Sequence, residues 1–331
     1  MGGGPSTPAL AVAVSSAGGL GFLAAGYGTP DAVREDIAEV RASTDRPFGV
    51  NLFVPSPSRD PSDSVARYAE ALSGEAERYG VALGDPRHDD DGWRDKLALL
   101  EDEGVAVVSF TFGCPDAAVV EQLRRAGSAV WVTATTPAEA RVAERAGADA
   151  LVVQGVEAGG HRGSYDDDAS GDIGLLALLQ LVADTADLPL VAAGGLAHGR
   201  ALAAVLAAGA DAAAFGTAFM LTPEAGTSPA HRAALARDCG TALTRAFTGR
   251  TARGLVNRFM SEHDAEAPSA YPEVHHLTAP LRAAAREGGD PGGFHLWAGQ
   301  AYGLAEELPA AELVERLAGE AREAMRRMRS P

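Results

Sequence analysis

The sequence predicts an α/β protein of the (β/α)8 TIM-type barrel class. Short runs rich in Val and Ala alternate with helical stretches through the first two thirds of the chain, and each run is apolar almost throughout. Strands that alternate with helices indicate a parallel sheet, and near-continuous apolar strands indicate burial on both faces. A doubly wound open sheet is the alternative, but no GxGxxG motif follows an early strand, as a dinucleotide fold would require.

Seven strands can be counted in order along the chain, with helices between them. The strands are predicted at Leu20–Ala24, Phe48–Val54, Ala106–Phe112, Ala129–Thr133, Ala150–Gln154, Leu190–Ala193 and Ala212–Gly216. The helices are predicted at Ala9–Ala17, Asp31–Ala42, Ser62–Tyr79, Trp93–Glu103, Asp116–Ala126, Pro137–Ala146, Gly174–Ala186 and Gly199–Ala208.

A glycine-rich turn, Gly2-Gly3-Gly4-Pro5, opens the chain and leads directly into a helix. In an intact barrel such a turn follows strand one, so we expect a barrel that lacks its first strand. An open seven-stranded sheet would expose an apolar edge, which favours aggregation. A remnant that binds no cofactor is therefore one alternative.

The chain is expected to divide into three segments. Residues 1–221 form the barrel, residues 222–283 an inserted substrate or capping subdomain after strand eight, and residues 284–331 helices that pack back on the barrel. Thr222 to about Arg282 shows no clean strand alternation. Ala310 to Arg329 carries apolar residues at helical spacing, which predicts a helix that closes the barrel.

Composition narrows the class of partner. The 331 residues include 28 basic and 45 acidic side chains, a net charge of −17, which argues against nucleic acid or an anionic membrane as partner. Cys114 and Cys239 lie far apart without CxxC spacing, and His275 and His276 have no further ligand at metal spacing, so no metal site is expected. No run of about 18 apolar residues predicts a membrane helix, and we expect a cytoplasmic protein.

Two glycine loops at predicted strand ends are suited to holding a phosphate group. The strands are numbered as in an intact barrel, so the first strand counted here is strand two. Strand seven runs into Gly194 and Gly195, and strand eight ends in Phe215, Gly216 and Thr217. Barrel enzymes commonly bind phosphate with these two loops, because glycine lets backbone N–H groups approach an anion closely. The Thr217 hydroxyl is a further donor. The alternative is that these glycines only turn the chain.

A Gly-Gly-His turn follows strand six. Gln154 ends that strand with an amide that both donates and accepts, and Gly159, Gly160 and His161 follow. This arrangement is suited to reading a planar heterocycle and placing an imidazole over it for proton transfer. Arg162 is interpreted as a solvated or structural charge.

A single amide interrupts the apolar strand at Asn51. A buried amide needs a partner, and the facing glycine loops favour a ligand over a neighbouring backbone group. Ser109, Thr111 and Thr133 are candidates to line the same mouth, although small hydroxyls are more often satisfied by backbone.

Together these motifs resemble the nitronate monooxygenases, formerly called 2-nitropropane dioxygenases, over nearly the whole chain. The matching stretches are Ser6–Ala11, Ser16–Gly21, Asn51-Leu52-Phe53, Gln154–His161, Ala192–Gly195, Gly216–Phe219, Thr248–Gly254, Tyr271-Pro272 and Leu296–Gln300. The resemblance implies an FMN-dependent barrel that oxidises alkyl nitronates with O2 to a carbonyl compound and nitrite. His161 would sit at the active site and remove the α-proton when the substrate is a neutral nitroalkane. The expected FMN contacts are Asn51, Gln154, Gly159, Gly160, Gly194, Gly195, Ala214, Phe215, Gly216 and Thr217.

Two enzyme alternatives stay open. One is an FMN-dependent NAD(P)H reductase of the quinone or enoyl-thioester kind, which shares the Gly-Gly-His loop. The other is a flavin-free isomerase or lyase, but Lys96, the single lysine, falls on a predicted helix, and Glu157 is the one obvious carboxylate at a strand end. The C-terminal helix is a candidate homodimer contact because of its apolar stripe.

Overall fold

A computed structural model describes residues 1–56, 62–169 and 171–329 of the chain. The strands are β1 Gly21–Ala24, β2 Phe48–Phe53, β3 Val107–Thr111, β4 Ala129–Ala134, β5 Ala150–Gln154, β6 Gly160–His161, β7 Leu190–Ala193, β8 Ala212–Ala214, β9 Thr241–Thr244 and β10 Ala252–Leu255. The α-helices are α1 Pro8–Ser16, α2 Pro30–Ser43, α3 Ser62–Ala71, α4 Ser73–Tyr79, α5 Trp93–Glu103, α6 Ala117–Arg125, α7 Pro137–Ala146, α8 Leu175–Ala183, α9 Gly199–Ala207, α10 Pro229–Leu235, α11 Arg258–His263, α12 Glu273–Glu287 and α13 Ala310–Arg329.

Seven parallel strands form the main sheet, in the order β1-β2-β3-β4-β5-β7-β8. Helices alternate with these strands, which confirms the predicted barrel class and all seven predicted strands, with ends that shift by at most two residues. The register sets Asn51 of β2 beside Ser109 of β3, and Gln154 of β5 beside Ala193 of β7. Polar side chains of neighbouring strands therefore meet at one end of the sheet.

A Thr-Pro or Ser-Pro pair begins four of the helices. The hydroxyl accepts a hydrogen bond from a backbone N–H of the first turn, and the proline occupies a position whose N–H needs no partner. These pairs are Thr7-Pro8, Thr29-Pro30, Thr136-Pro137 and Ser228-Pro229. Four of the chain's prolines thus mark where a loop ends and a helix starts.

The C-terminal helix connects the two ends of the helical layer. Leu313 and Leu317 of α13 share a buried apolar cluster with Leu10 of α1 and with Ala197, which lies just before α9. This is the place of the last helix of a barrel, between the helices that flank β8 and β1. The predicted helix at Ala310–Arg329 is present.

A second, three-stranded antiparallel sheet joins β6, β10 and β9. Ala252 pairs with His161 and Arg253 with Gly160, so part of the predicted Gly-Gly-His turn is a strand. The segment from 222 to 282, which shows no clean strand alternation in sequence, contains two short strands, β9 and β10. The strands β9 and β10 are only four residues long and include polar side chains, so their sequences carry no period-two signal.

The predicted single helix Ser62–Tyr79 was wrong, because the structure has two helices, α3 and α4, on either side of Leu72. Val65, Tyr68 and Leu72 pack in one apolar cluster with residues of the segment that follows β8, including Phe247 and Val274. The three-part division into 1–221, 222–283 and 284–331 stays a prediction; residues 57–61, 170, 330 and 331 lie outside the described part. No helix in the described part is long and apolar enough to cross a membrane.

Candidate active site

The loops after β7 and β8 present backbone donors without partners. Gly194 has φ +116° and Gly195 φ +68°, a conformation that side chains other than glycine rarely adopt. The N–H groups of Gly194, Gly195, Gly216 and Thr217 donate to no acceptor among the described residues. Donors of this kind need an acceptor once water is excluded. The two loops therefore fit a phosphate group.

Thr217 also has a structural contact that the sequence did not predict. Its Oγ1 accepts a hydrogen bond from the N–H of Gly299 at 3.0 Å, and the N–H of Gln300 donates to the carbonyl of Glu157 at 3.0 Å. These bonds hold the Trp297–Gln300 segment over the strand ends. The hydroxyl proton of Thr217 remains available as a donor.

The side-chain amide of Asn51 is hydrogen-bonded at its oxygen but not at its nitrogen. Its Oδ1 accepts from the hydroxyls of Ser109 at 2.8 Å and Thr111 at 3.0 Å, whereas Nδ2 has no acceptor among the described residues. Because two donors fix the oxygen, the NH2 group is oriented away from them. Asn51 therefore offers a donor to a ligand, and Ser109 and Thr111 orient it.

Both the oxygen and the nitrogen of the Gln154 amide form hydrogen bonds within the protein. Its Oε1 accepts from the N–H of Gly163 at 2.8 Å and from Nη1 of Arg162 at 3.1 Å, and its Nε2 donates to the carbonyl of His161 at 3.1 Å. The amide thus fixes the loop that carries His161. Arg162 is fully buried and also donates to the carbonyl of Gly155 at 2.6 Å, so its solvated interpretation was wrong and the structural one right.

Glycine is required where the His161 loop meets the C-terminal segment. A Cβ on Gly159 would lie 2.5 Å from the backbone nitrogen of Gly299, closer than real contacts allow. Gly160 has φ +77° and no atom within 4 Å of an added Cβ, so it faces open space. Of the other two predicted contacts, Ala214 is exposed and Phe215 partly buried.

His161 lies inside an aromatic wall. The rings of Phe112, Tyr271 and Trp297 lie 5.7, 6.0 and 5.3 Å from its imidazole, centroid to centroid. Its Nε2 is 2.9 Å from Oγ1 of Thr248, which also contacts the carbonyl of Arg250 at 3.3 Å. The Thr248 hydroxyl donates to that carbonyl and therefore accepts from Nε2. Nε2 then carries the imidazole proton, and Nδ1 keeps its lone pair.

Burial and two guanidinium groups hold this imidazole neutral. Removal from water lowers the pKa of His161 to about 3, with further contributions from the positive charges of Arg250 and Arg282. His161 is therefore in the form that can accept a proton at neutral pH.

Two buried arginines, Arg250 and Arg282, lie beside this wall and form no ion pair with a carboxylate among the described residues. Arg250 lies over the face of Phe112, with Cζ 4.1 Å from the ring centroid, and no carboxylate of the described residues lies within 4 Å of it. Arg282 donates to the Thr278 hydroxyl at 3.0 Å and lies 3.4 Å from ring nitrogens of His275 and His295. The wall around His161 thus has two buried positive charges beside it, although the chain is acidic overall.

Sequence reasoning missed the arginines and the aromatic wall. The stretch Thr248–Gly254 was quoted for the resemblance, but no role was assigned to Arg250 within it. Phe112 follows β3 directly and has φ +76°, an unusual conformation for a bulky residue that concentrates at functional sites. His275 and His276 were considered only as metal ligands; His275 contacts Arg282, and His276 pairs with Asp89 at 2.6 Å.

Comparisons with known proteins place the chain in a family. The family model described as nitronate monooxygenase matches residues 1–320. A nitronate monooxygenase of Pseudomonas aeruginosa is 45% identical over 340 residues, covering 96% of this chain and 94% of that protein.

Two solved structures are informative. Nitroalkane oxidase of Streptomyces ansochromogenes is 55% identical with a TM-score of 0.97, covering 99% of this chain and 95% of the other. FabK of Thermotoga maritima is more distant, at 29% identity and a TM-score of 0.76, covering 98% and 92%. Nitronate monooxygenases are flavin-dependent oxidoreductases. On the matches over nearly its full length, the chain belongs to the nitronate monooxygenase family.

Proposed function

We propose that the protein is an FMN-dependent enzyme that oxidises small alkyl nitronates with O2 to a carbonyl compound and nitrite. The observation that carries this proposal is a neutral imidazole inside a wall with buried, carboxylate-free guanidinium groups. Such an interior favours an anion, and a nitronate is an anion. Family membership and the similarity to the Streptomyces nitroalkane oxidase support the same reaction.

The flavin site is proposed at the ends of the parallel strands. The free N–H groups of Gly194, Gly195, Gly216 and Thr217 would bind the phosphate. The amide of Asn51 would donate to the ring system, and Gly159, Gly160, Ala214 and Phe215 would adjoin the cofactor. Gln154 would act indirectly, by holding the loop on which His161 lies. FMN, when bound, supplies the one-electron and oxygen chemistry.

The protein's own groups orient the substrate and move one proton. A nitronate needs no deprotonation, so His161 and the arginines would only position it and balance its charge. A neutral nitroalkane must first lose its α-proton, and His161 would accept it. The positive interior would stabilise the resulting anion, which makes the bound nitroalkane a stronger acid.

The test is a visible spectrum of the purified protein reconstituted with FMN, followed by a nitrite assay with ethylnitronate in air. Stoichiometric flavin binding and nitrite release are expected. A folded protein that takes up no FMN would exclude the proposal.

The reductase alternative has a direct test. The FMN-loaded protein is mixed with NADH without oxygen, and in a second sample with ethylnitronate. Bleaching of the flavin by the nitronate alone is expected, whereas rapid bleaching by NADH would favour a FabK-like reductase.

A further inference from the structure

Arg250 differs from the other buried arginines in having a free amino group beside a cavity. Its Nε donates to the carbonyl of Arg162 at 3.4 Å and its Nη2 to the carbonyl of Ser164, but Nη1 has no acceptor among the described residues. The side chain is only 3% exposed and lines a cavity of about 50 Å³ together with Gly249, Ala270 and Tyr271.

The neighbouring buried arginines use their donors away from this cavity. Arg162 donates to carbonyls of the loop after β5, and Arg253 donates to the carbonyl of Val156 at 2.8 Å and to the Thr241 hydroxyl at 3.1 Å. Neither they nor Arg282 line this cavity. Nη1 of Arg250 is not among the sealed polar atoms that lack a partner, so it can donate to a ligand that enters the cavity.

Three acidic residues, Asp166, Asp167 and Glu273, also line the cavity, and the latter two have partners other than Arg250. Asp167 is closest in electrostatic terms, but its Oδ2 accepts from Nε of Arg245 at 2.7 Å and its Oδ1 from the N–H of Thr251 at 3.0 Å. Glu273 lies 3.8 Å from the imidazole of His88. A bound anion would therefore find Arg250 as the cation with unused donors.

The position of Arg250 also suits the proton transfer. Its guanidinium covers the face of Phe112, and His161 meets the same ring edge-on at a centroid distance of 5.7 Å. Two anchored backbone carbonyls and one aromatic face leave the guanidinium little freedom. Arg250 and His161 thus contact the same aromatic ring from two directions.

We propose that Arg250 is the specificity-determining residue that binds the negatively charged nitro group of the substrate through its free Nη1. The inference rests on the proposed function and adds the substrate-anchoring contact to it. Nη1 donates to a nitronate oxygen, and the substrate's α-carbon then lies towards His161. A planar oxyanion such as nitrate shares this chemistry and should bind at the same place.

The kinetic test compares Arg250→Met, Arg250→Lys and Arg245→Gln in the FMN-loaded enzyme. Loss of a charge-assisted hydrogen bond predicts a KM for ethylnitronate that is roughly 10- to 100-fold higher in Arg250→Met, with a smaller change in kcat. Arg250→Lys keeps the charge without the planar fork and should show a smaller rise, of roughly fivefold. Arg245→Gln removes one positive charge from a neighbouring, half-exposed position and should stay within twofold of wild type.

A binding test separates this inference from the proposed function. Nitrate should raise the Tm of the FMN-loaded wild type and of Arg245→Gln more than chloride at equal ionic strength, and should have no such effect on Arg250→Met. Wild type that binds nitrate but releases no nitrite from nitronates would exclude the proposed function alone. An unchanged nitronate KM and an unchanged nitrate effect in Arg250→Lys, or in a folded Arg250→Met, would overturn the role of Arg250.

Discussion

The two sides of the candidate site differ in the kind of hydrogen-bond donor that they offer. The sheet side, formed by the loops after β7 and β8, offers backbone N–H groups on glycines. The opposite side, the side-chain side, is formed by Phe112, His161 and residues 248–299 and offers guanidinium groups, imidazoles and aromatic rings. Backbone donors are fixed by φ and ψ and depend on what glycine permits. Side-chain donors depend on individual residues, so substitutions should separate cofactor binding from substrate chemistry.

The largest effect is expected on the side-chain side, at His161. His161→Asn should lower turnover of a neutral nitroalkane by roughly 100-fold or more, since general base catalysis contributes at that level. Turnover of the corresponding nitronate should fall by less than about tenfold, because no proton has to be removed. Nitrite release from 2-nitropropane and from its nitronate measures both, and equal retention of the two activities would remove His161 from its assigned role.

On the sheet side, Gly195→Ala should weaken flavin binding. An added Cβ forces a side chain into φ +68° and lies 3.0 Å from Cβ of Glu157, and the left-handed conformation alone costs about 1–2 kcal/mol. We expect the Kd for FMN to rise about tenfold, measured by fluorescence titration. Gly209→Ala, at φ +102° with no atom within 4 Å, is the matched control and should lose stability without losing FMN affinity. Equal FMN affinity in both variants would show that the loop does not bind the phosphate.

Buried imidazoles should also make the stability of the fold sensitive to acid. Burial lowers the pKa of His231 to about 4, that of His161 to about 3 and that of His275 to about 2. Between these values and about 6.5 the unfolded chain binds protons that the folded protein does not, so stability falls as pH falls through this window.

His231 offers the cleanest measurement because it is 8% exposed and lies outside the proposed contacts. It should account for up to about 2 kcal/mol of the stability lost between pH 7 and pH 5. In His231→Asn the loss in free energy of unfolding over that interval, from urea denaturation, should shrink by this amount. An identical pH dependence would contradict a neutral, buried His231.

The smallest effect is expected at Asn51. Asn51→Asp keeps the acceptor that Ser109 and Thr111 need but removes the NH2 donor. Loss of one hydrogen bond predicts an FMN Kd about fivefold higher. Asn51→Ala is the comparison, since it also leaves two hydroxyls without their acceptor and should lower Tm further. A Tm for Asn51→Asp as low as that of Asn51→Ala would show that the amide serves packing instead.

The sheet side was predictable from sequence because its signals are local. Apolar runs fix β7 and β8, and Gly194, Gly195 and Gly216 stand where the strands end. The parallel topology then brings those ends together. The same reasoning located Asn51 as an amide in the interior of an apolar strand, although its hydroxyl partners emerged only from the register of β2 with β3.

The opposite side could not be derived in this way. Charged side chains are expected at the surface, so burial of Arg250 and Arg282 contradicts the usual pattern. Their neighbours come from distant parts of the chain: Phe112 follows β3, His275 lies on α12, and Trp297 lies after it. The strands β6, β9 and β10 of this region are short and lack an alternation of apolar and polar residues, so the sequence does not show how these parts come together. Only the family resemblance pointed to the region, through Thr248–Gly254, Tyr271-Pro272 and Leu296–Gln300.

The segment that carries Trp297 has a consequence for how the two sides act together. It pairs with β10 through Gly254, and two residues later the N–H of Gly299 is bonded to Thr217. One short piece of backbone thus contacts both the proposed phosphate loop and the wall around the imidazole. Any ordering of this piece by one ligand lowers the entropic cost of binding the other, and linkage makes the benefit reciprocal. FMN should tighten nitrate binding by the same factor by which nitrate tightens FMN binding.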